Sequence, residues 1–283
     1  AQVKKYLLSV GWKPTEWNLS VGGTTRDPNH PERTSPRITE DSFASVSHLK
    51  LPSLIGKRAV LVHRRQMINN IKHPMTKGWL ANLRSDGRLS AQAMPQATNT
   101  GRYRHRIVVN VPSVDAAYGE KMRSLFVVPE GKLMLGCDAA ALEARMEAHY
   151  CYPYTGGVEY AHELIDGDIH EVNAELFGCT RKEAKAPKYA MTYGAQPPKL
   201  AATLQVPLTR ARQIYNNFWD GNTALAEFRD AVTNVWEQRG YLYGVDGRKI
   251  FIRSRHAIVN AMFQSAGSIT VKVATLFLNK WLR

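Results

Sequence analysis

The amino-acid sequence predicts a mixed α+β fold, in which a mainly helical middle is flanked by short extended segments. Apolar residues recur at helical spacing between residues 158 and 238. An Asp246-Gly247 pair separates two alternating runs in 241–253, which is a strong hairpin signal. With 283 residues and 44% hydrophobic content, the chain is long enough to bury a sizeable core in one large or two ordinary domains.

The charge balance points to a polyanionic partner. The formal net charge is +14, which favours nucleic acid, with an anionic membrane surface as the alternative. The three cysteines, Cys137, Cys151 and Cys179, are odd in number and have no CxxC spacing. They indicate neither a disulfide framework nor a structural zinc site, so we expect a reducing, cytoplasmic location.

Neither end of the chain predicts a membrane segment. The start has no charged, then apolar, then small-residue pattern of a signal peptide. The most apolar late stretch, 257–282, is interrupted by Asn260, Gln264, Lys272 and Asn279. We therefore expect no membrane partner.

The first third of the sequence combines a polar stretch with a one-sided basic stretch. An amphipathic run opens the chain, and the glycine- and proline-rich residues 18–42 predict a loop. Helical spacing over 54–73 predicts a helix. Between residues 42 and 114, Asp86 is the only acidic residue against twelve cations, which fits a phosphate backbone: Lys50, Lys57, Arg58, Arg64, Arg65, Lys72, Lys77, Arg84, Arg88, Arg102, Arg104 and Arg106.

Residues 89–150 predict short strands followed by a helix. Leu89–Met94 and Arg106–Val111 are expected to be extended around a Thr100-Gly101-Arg102 turn. Leu133–Cys137 predicts an apolar strand that delivers Asp138 to the start of a helix over AAALEARMEAHY. An Asp at such a junction is either a metal ligand or a helix N-cap, and the cap is the commoner role.

The helix predicted over 180–194 carries the clearest functional pattern. Thr180 and Glu183 form a capping-box pair, and Gly194 stands where a helix would end. Arg181, Lys185 and Tyr189 follow one another at intervals of four, so they share one face. Two cations and a ring on one face suit a nucleoside triphosphate, although a solvated basic face with a core tyrosine has the same spacing.

The remaining elements are predicted to be helical apart from the hairpin. Residues 158–179 predict two short helices separated by Gly167. Gln196-Pro197-Pro198 is expected to break the chain before helices at about 209–219 and 223–238, the second closing at Gly240. A long helix is expected over 256–282.

Three segments resemble successive motifs of family A DNA polymerases, the group of bacterial polymerase I and bacteriophage replicative polymerases. They are Asp138–Arg145 (DAAALEAR), Arg181–Gly194 (RKEAKAPKYAMTYG) and His256–Gly267 (HAIVNAMFQSAG). Shorter pieces agree in order, namely TGR at 100–102, VNVP at 109–112, GDIH at 167–170 and GRK at 247–249. The resemblance runs from about residue 90 to the end and more faintly to the start.

The resemblance implies the architecture of a right-hand polymerase. Residues 96–150 and 241–283 would form a palm with an antiparallel sheet, and 151–240 mainly helical fingers. Residues 1–95 would form a partial thumb-like, DNA-clasping region. The partners implied are primer-template DNA and dNTPs.

The resemblance also implies the roles of single residues in the chemistry. Asp138 resembles the first metal-binding carboxylate of the palm, with the Ala139 carbonyl beside it, for a two-Mg²⁺ site. His170, Arg181 and Lys185 resemble the residues that grip the triphosphate. Asp138 and Lys185 are therefore the expected catalytic residues.

Other positions resemble residues that contact the nucleoside and the DNA. Tyr189 looks like the ring packed against the incoming sugar and base, and Tyr193 like the ring at the stacked template position. Glu143 is similar to the carboxylate that crowds the sugar 2′ position, which favours DNA synthesis. The primer-template contacts implied are Arg102, His256, Asn260 and Gln264.

Two features depart from the family pattern. Pro187 lies inside the nucleotide-binding helix, so we expect either a kink between Lys185 and Tyr189 or a later helix start. The third family motif, which supplies the second metal-binding Asp, should follow the Gln264 helix, yet no Asp or Glu follows Asp246. We therefore expect the chain to be truncated before that motif, and a second chain or a missing C-terminal segment to carry the remaining carboxylate.

Two alternatives stay open on the sequence. A non-catalytic nucleic-acid-binding protein could retain the basic cradle without the chemistry. A single-subunit RNA polymerase shares the helix motif in outline, although Glu143 with Tyr189 argues against it.

Overall fold

The computed structural model describes residues 2–25, 29–70 and 78–282. Its α-helices are α1 (Gln2–Ser9), α2 (Lys50–Ile68), α3 (Gly119–Arg123), α4 (Leu142–Cys151), α5 (Gly157–Ile165), α6 (Ile169–Phe177), α7 (Arg181–Thr192), α8 (Pro197–Leu204), α9 (Leu208–Gly221), α10 (Thr223–Arg239) and α11 (Ile258–Trp281). Its strands are β1 (Trp17–Leu19), β2 (Thr24–Thr25), β3 (Arg33–Pro36), β4 (Ala93–Met94), β5 (Arg104–His105), β6 (Tyr241–Tyr243) and β7 (Lys249–Phe251). Short 3₁₀ helices span Glu40–Val46, Leu80–Asn82 and Arg255–Ala257. The mixed α+β class is confirmed.

The chain divides into two compact units. One contains Ala1–Gln92 and His105–Met134, and the other contains Ala93–Arg104 and Leu135–Arg283. The second unit holds α4 to α11 and the residues of the nucleotide-binding prediction.

The first unit contains a small sheet where the sequence predicted a loop. The antiparallel order is β2-β1-β3, with Trp17 opposite Thr25 and also opposite Pro36. The prediction of a loop over 18–42 is therefore wrong in part. Gly22 and Gly23, both at positive φ, form the turn between β1 and β2, so the residues that suggested a loop instead connect two strands.

The helix predicted over 54–73 is confirmed as α2. Its cations Lys57, Arg58 and Arg65 are exposed, as a phosphate-tracking surface requires. The predicted helix is confirmed as far as Ile68; Ile71 and Lys72 of that prediction, and Lys77 of the predicted basic stretch, lie outside the described residues.

The second unit packs its helices around the first half of α11. Phe228 of α10 stacks on Phe263 of α11, with ring centroids 5.5 Å apart, and both are almost fully buried. The helices predicted over 158–179, 209–219 and 223–238 are confirmed by α5, α6, α9 and α10. The hairpin is confirmed by β6 and β7, which pair with Leu242 opposite Ile250.

The prolines at 197 and 198 start a helix, whereas the sequence predicted only a break. They occupy the first positions of α8, where an N–H group makes no hydrogen bond within the helix, so the missing N–H of a proline costs nothing there. The break prediction therefore misses the eight residues of α8.

Two predicted strands are absent from the described residues. Leu133–Cys137 is irregular, and Leu133 and Leu135 are 88% and 87% exposed. A strand needs a neighbour for its N–H and C=O groups, and none pairs with this segment in the described residues. Arg106–Val111 is likewise irregular. Of the predicted segment Leu89–Met94, the last two residues form β4, which pairs with β5.

The last helix has the length and apolar composition of a membrane-crossing segment. This holds for Arg255–Trp281 among the described residues. A core helix meets the same criteria, and the first half of α11 supplies core residues: Ile258, Val259, Ala261, Met262, Phe263 and Ala266.

Candidate nucleotide and primer-template site

Helix α7 presents the predicted cationic face. Its N-terminus is closed by the predicted capping box, in which Glu183 accepts from the Thr180 N–H at 2.9 Å and its own N–H donates to Thr180 Oγ1 at 3.4 Å. Arg181 and Lys185 are exposed, and Lys185 makes no hydrogen bond or ion pair with the described residues. Lys185 can therefore bind a ligand without breaking a contact with another described residue.

The proline inside α7 does not end the helix. Pro187 is buried, and the helix runs without a break from Arg181 to Thr192. The start at Thr180 is confirmed, so the alternative of a later start is wrong.

Arg181 is held by the N-terminus of the preceding helix. Its Nε donates to Asp168 Oδ2 at 2.5 Å, while Asp168 Oδ1 accepts from the His170 and Glu171 N–H groups. The Arg181 guanidinium holds the pKa of the Asp168 carboxyl below its usual value. This contact fixes the guanidinium through Nε and involves neither terminal nitrogen, so those can still face phosphate oxygens.

His170 lies against Tyr189, with ring centroids 5.7 Å apart in an edge-on arrangement. The His170 Nδ1 is buried and has no hydrogen-bond partner among the described residues. Burial and then the nearby Lys188 ammonium lower the pKa of the imidazole below its usual value. His170 is therefore neutral at pH 7, with one ring nitrogen available.

The lowered pKa of His170 predicts a pH-dependent stability. Between the folded pKa and the unfolded value of about 6.5, the folded state binds fewer protons, so the free energy of unfolding falls as the pH drops from 7 to 5. Urea denaturation should show a smaller loss in His170→Phe than in the wild type. The exposed His48, replaced by Gln, is the control: its side chain makes no hydrogen bond or ion pair with the described residues, so this variant should keep the wild-type loss. An equal loss in all three proteins would contradict the assignment.

Glu143, Tyr193 and Arg102 come together beside α7. The Tyr193 hydroxyl donates a short hydrogen bond to Glu143, and Arg102 Nη1 lies 4.0 Å from the same carboxylate. Burial and this hydrogen bond raise the pKa of the Tyr193 phenol above its usual value. The carboxylate, the ring and the cation are thus pre-arranged at one end of α7.

A cleft of about 440 Å³ opens next to Tyr193. His256 and Asn260 line it, and the Asn260 Oδ1 is buried without a partner in the described part of the chain. Gly194, at φ +83°, packs so closely on the His256 backbone that a Cβ there would overlap its carbonyl oxygen. Gln264 follows Asn260 one turn along α11 and is half-buried. Lys199 and Gln196 also line the cleft, and the sequence analysis did not select them.

Asp138 is not brought to these groups by any described contact. Asp138 and Ala139 lie in the exposed irregular segment before α4. The described residues contain no cluster of three His, Cys, Asp or Glu side chains that could hold a metal ion. Asp138 by itself does not fit a two-metal site, because two close metal ions need more than one carboxylate.

Helix α7 also carries a buried ion pair that was not predicted from the sequence. Lys188 Nζ lies 2.6 Å from Glu147 Oε2, and the Tyr160 hydroxyl donates to Glu147 Oε1 at 2.6 Å. Helical spacing gave no sign of this burial, because Lys188 lies only about 20° around the helix from the exposed Arg181.

Comparison with known proteins identifies a family match over most of the chain. The model of the family described as DNA polymerase family A matches residues 35–283. The DNA-directed DNA polymerase of Escherichia phage T7 is 31% identical over 96% of this chain and 40% of its own length. That of Escherichia phage Phieco32 is 28% identical over 99% of this chain and 59% of its own length. The chain thus spans about half the length of these relatives.

A solved structure has the same fold. The POL domain of Pol1 from M. smegmatis, in complex with DNA primer-template and dNTP, matches with a TM-score of 0.70 at 20% identity. The match covers 99% of this chain and 50% of that one.

Proposed function

The chain belongs to DNA polymerase family A, and on this premise we propose that it takes part in template-directed DNA synthesis, the transfer of deoxynucleotides to a primer 3′ hydroxyl. The observation that carries the proposal is the exposed face of α7 beside the Glu143–Tyr193 contact. A protein that only holds DNA would have no use for a triphosphate-binding face next to a carboxylate that crowds a sugar.

We propose that α7 binds the incoming dNTP along its length. Arg181 and Lys185 bind the phosphates, one as a fork fixed by Asp168 and one as a mobile point charge. His170 adds a donor next to Tyr189, whose ring packs on the sugar and base. Glu143 excludes a 2′ hydroxyl, which selects DNA over RNA synthesis.

We propose that the primer-template lies against residues of the cleft and the neighbouring loop. His256, Asn260, Gln264 and Arg102 contact the minor groove and the terminal pair, with Tyr193 at the template position. The unpartnered Asn260 Oδ1 supports this, because a buried polar atom favours a ligand that completes its hydrogen bonds. Residues 96–150 and 241–283 act as palm, 151–240 as fingers and 1–95 as a thumb-like region.

We propose that Mg²⁺ is shared between this chain and sequence outside its 283 residues. Asp138 and the Ala139 carbonyl would supply one half of the donor set, and a carboxylate from elsewhere the other half. Asp138 and Ala139 lie exposed before α4, where ligands from another segment could reach the same ion, which supports this arrangement. The reaction places the chain in a cytoplasm, where dNTPs and replicating DNA are present.

One observation favours a second candidate function. The described residues contain no cluster of three His, Cys, Asp or Glu side chains, and a non-catalytic nucleic-acid-binding protein would need only the basic surface. Such a protein would bind primer-template equally well with or without a dNTP.

Primer extension tests the proposed function. The chain, a labelled primer-template, Mg²⁺ and dNTPs are combined with and without a polypeptide carrying the remaining part of a family A polymerase. The proposal expects templated extension only with that polypeptide, and its loss in Asp138→Ala. Extension by the chain alone would overturn the shared metal site, and extension that survives Asp138→Ala would overturn the role of Asp138.

A further inference from the structure

Three helices of the second unit meet at a fully buried ion pair. Lys188 of α7 and Glu147 of α4 are 1% and 2% exposed, and their charged atoms are 2.6 Å apart. Tyr160 of α5 completes the cluster through its hydroxyl, which donates to the second oxygen of Glu147. The proposed dNTP-binding role uses none of these three side chains.

The ion pair is not explained by stability alone. Taking two charges out of water offsets most of their mutual attraction, and apolar residues of similar size often stabilise a fold as well or better. A buried pair does restrict the packing, because only one alignment of the helices satisfies both charges. The best attested role of buried polar or charged groups is to fix one alignment of the helices that carry them.

The position of the pair links that alignment to the nucleotide-binding face. On α4, Glu147 follows Glu143 by one helical turn, and Glu143 accepts the hydrogen bond of Tyr193 at the end of α7. On α7, Lys188 precedes Tyr189, and its Nζ lies 5.2 Å from the centre of that ring. The two helices are thus joined at two points, one buried and one at the surface.

A shift of α7 by one residue would break both contacts. Successive helical residues differ by about 100° in direction. Such a shift would leave the Glu147 carboxylate without its ammonium and would move Tyr193 away from Glu143. An apolar interface at the same place would tolerate the change at far smaller loss, because apolar packing is non-directional.

We propose that the Glu147–Lys188 pair positions α7: it fixes the rotation of α7 on α4 and thereby sets Tyr189 and Tyr193 opposite Glu143 for selection of a deoxynucleotide. Lys188, Glu147 and Tyr160 are positioning residues, since they act through the two tyrosines. The consequence for nucleotide selection rests on the proposed function, whereas the alignment of α7 does not.

The test replaces the pair with an apolar one, Glu147→Leu/Lys188→Met. We expect a Tm close to that of the wild type, because no charge is left buried and unpaired and only the Tyr160 hydroxyl loses its acceptor. Tyr193 is followed by ¹⁹F NMR after incorporation of 3-fluorotyrosine, with Tyr193→Phe giving the assignment. The Tyr193 resonance should move and broaden, and the affinity of a primer-template complex for the templated dNTP should fall about tenfold. Discrimination against the matching rNTP should fall as well.

Thr233→Val is the matched control. Thr233 is a buried polar residue whose hydroxyl donates within α10, so its loss should leave the Tyr193 resonance unchanged. An unmoved Tyr193 resonance in the apolar double variant would overturn the proposal. If dNTP does not change the affinity of the wild type for primer-template, the proposed function fails. The Tyr193 resonance of the double variant then still shows whether the ion pair fixes the alignment of α7 on α4.

A second variant covers failure of the double variant to fold. Tyr160→Phe keeps both charges paired and removes only the hydroxyl bond to Glu147. The proposal expects a smaller shift of Tyr193 in the same direction, and no shift in this variant would overturn it.

Discussion

Lys185→Ala is expected to weaken the binding of a templated dNTP to the protein on primer-template about ten- to hundredfold. A hydrogen bond to a charged group contributes about 1.5–3 kcal/mol. Lys185 makes no ion pair with the described residues, so its whole charge is available to the phosphates and is lost in the variant. The affinity for primer-template is measured at increasing dNTP concentration, with a primer that cannot be extended. The dNTP concentration that gives half of the maximal increase is the apparent Kd for the nucleotide.

Lys280→Ala provides a control with the same loss of charge. Lys280 is exposed near the end of α11, more than four helical turns beyond Gln264 and away from the proposed face of α7. We expect less than a twofold change. Equal losses in Lys280→Ala and Lys185→Ala would mean that general charge attraction, rather than the proposed face, binds the nucleotide.

Lys188→Met is expected to lower the free energy of unfolding by about 3–5 kcal/mol, because it leaves the Glu147 carboxylate buried without its counter-charge. Equilibrium urea unfolding at pH 7 measures the change, with the slope unchanged. The same protein carrying Glu147→Leu as well should recover most of the loss, since the unpaired charge is then removed.

A small change in Lys188→Met would contradict the buried pair. If the single variant lost less than about 1 kcal/mol, the charges would behave as an exposed pair does. A double variant as unstable as the single one would show that lost packing, and not the uncompensated charge, accounts for the effect.

The elements that the sequence predicted well are those specified by local signals. The capping box at Thr180 and Glu183, the glycine closing α10 and the Asp246-Gly247 turn each depend on residues a few positions apart. Such signals act on the backbone before tertiary packing forms, so they can be recognised from the sequence.

The predictions that were wrong depended on distant residues. Leu133–Cys137 has the composition of a strand, yet a strand also needs a neighbour to receive its hydrogen bonds, and none pairs with it in the described residues. Conversely, β1 and β3 form within a stretch rich in loop residues, because Trp17 and Arg33 meet across the sheet, with the guanidinium 5.2 Å from the ring centre.

At the candidate site, too, features set by local spacing were predicted, whereas contacts between distant residues were not. The face carrying Arg181, Lys185 and Tyr189 follows from helical spacing, and the structure presents the two cations as exposed. The contact between Tyr193 and Glu143 joins residues fifty positions apart, and it was not predicted, although the family resemblance singled out each residue separately. Lys188 was overlooked because a lysine is ordinarily assigned to the surface, and only Glu147 on another helix makes its burial possible.

The most direct test of the central claim is whether a correct dNTP tightens the grip of the wild-type protein on DNA. A fluorescent primer-template ended with a dideoxynucleotide is titrated with protein in Mg²⁺, without nucleotide and with each of the four dNTPs in turn. The account predicts that only the dNTP complementary to the template lowers the Kd for the DNA, saturably, and that the matching rNTP does not. The same Kd under all of these conditions would contradict it and would leave a protein that binds nucleic acid without selecting a nucleotide.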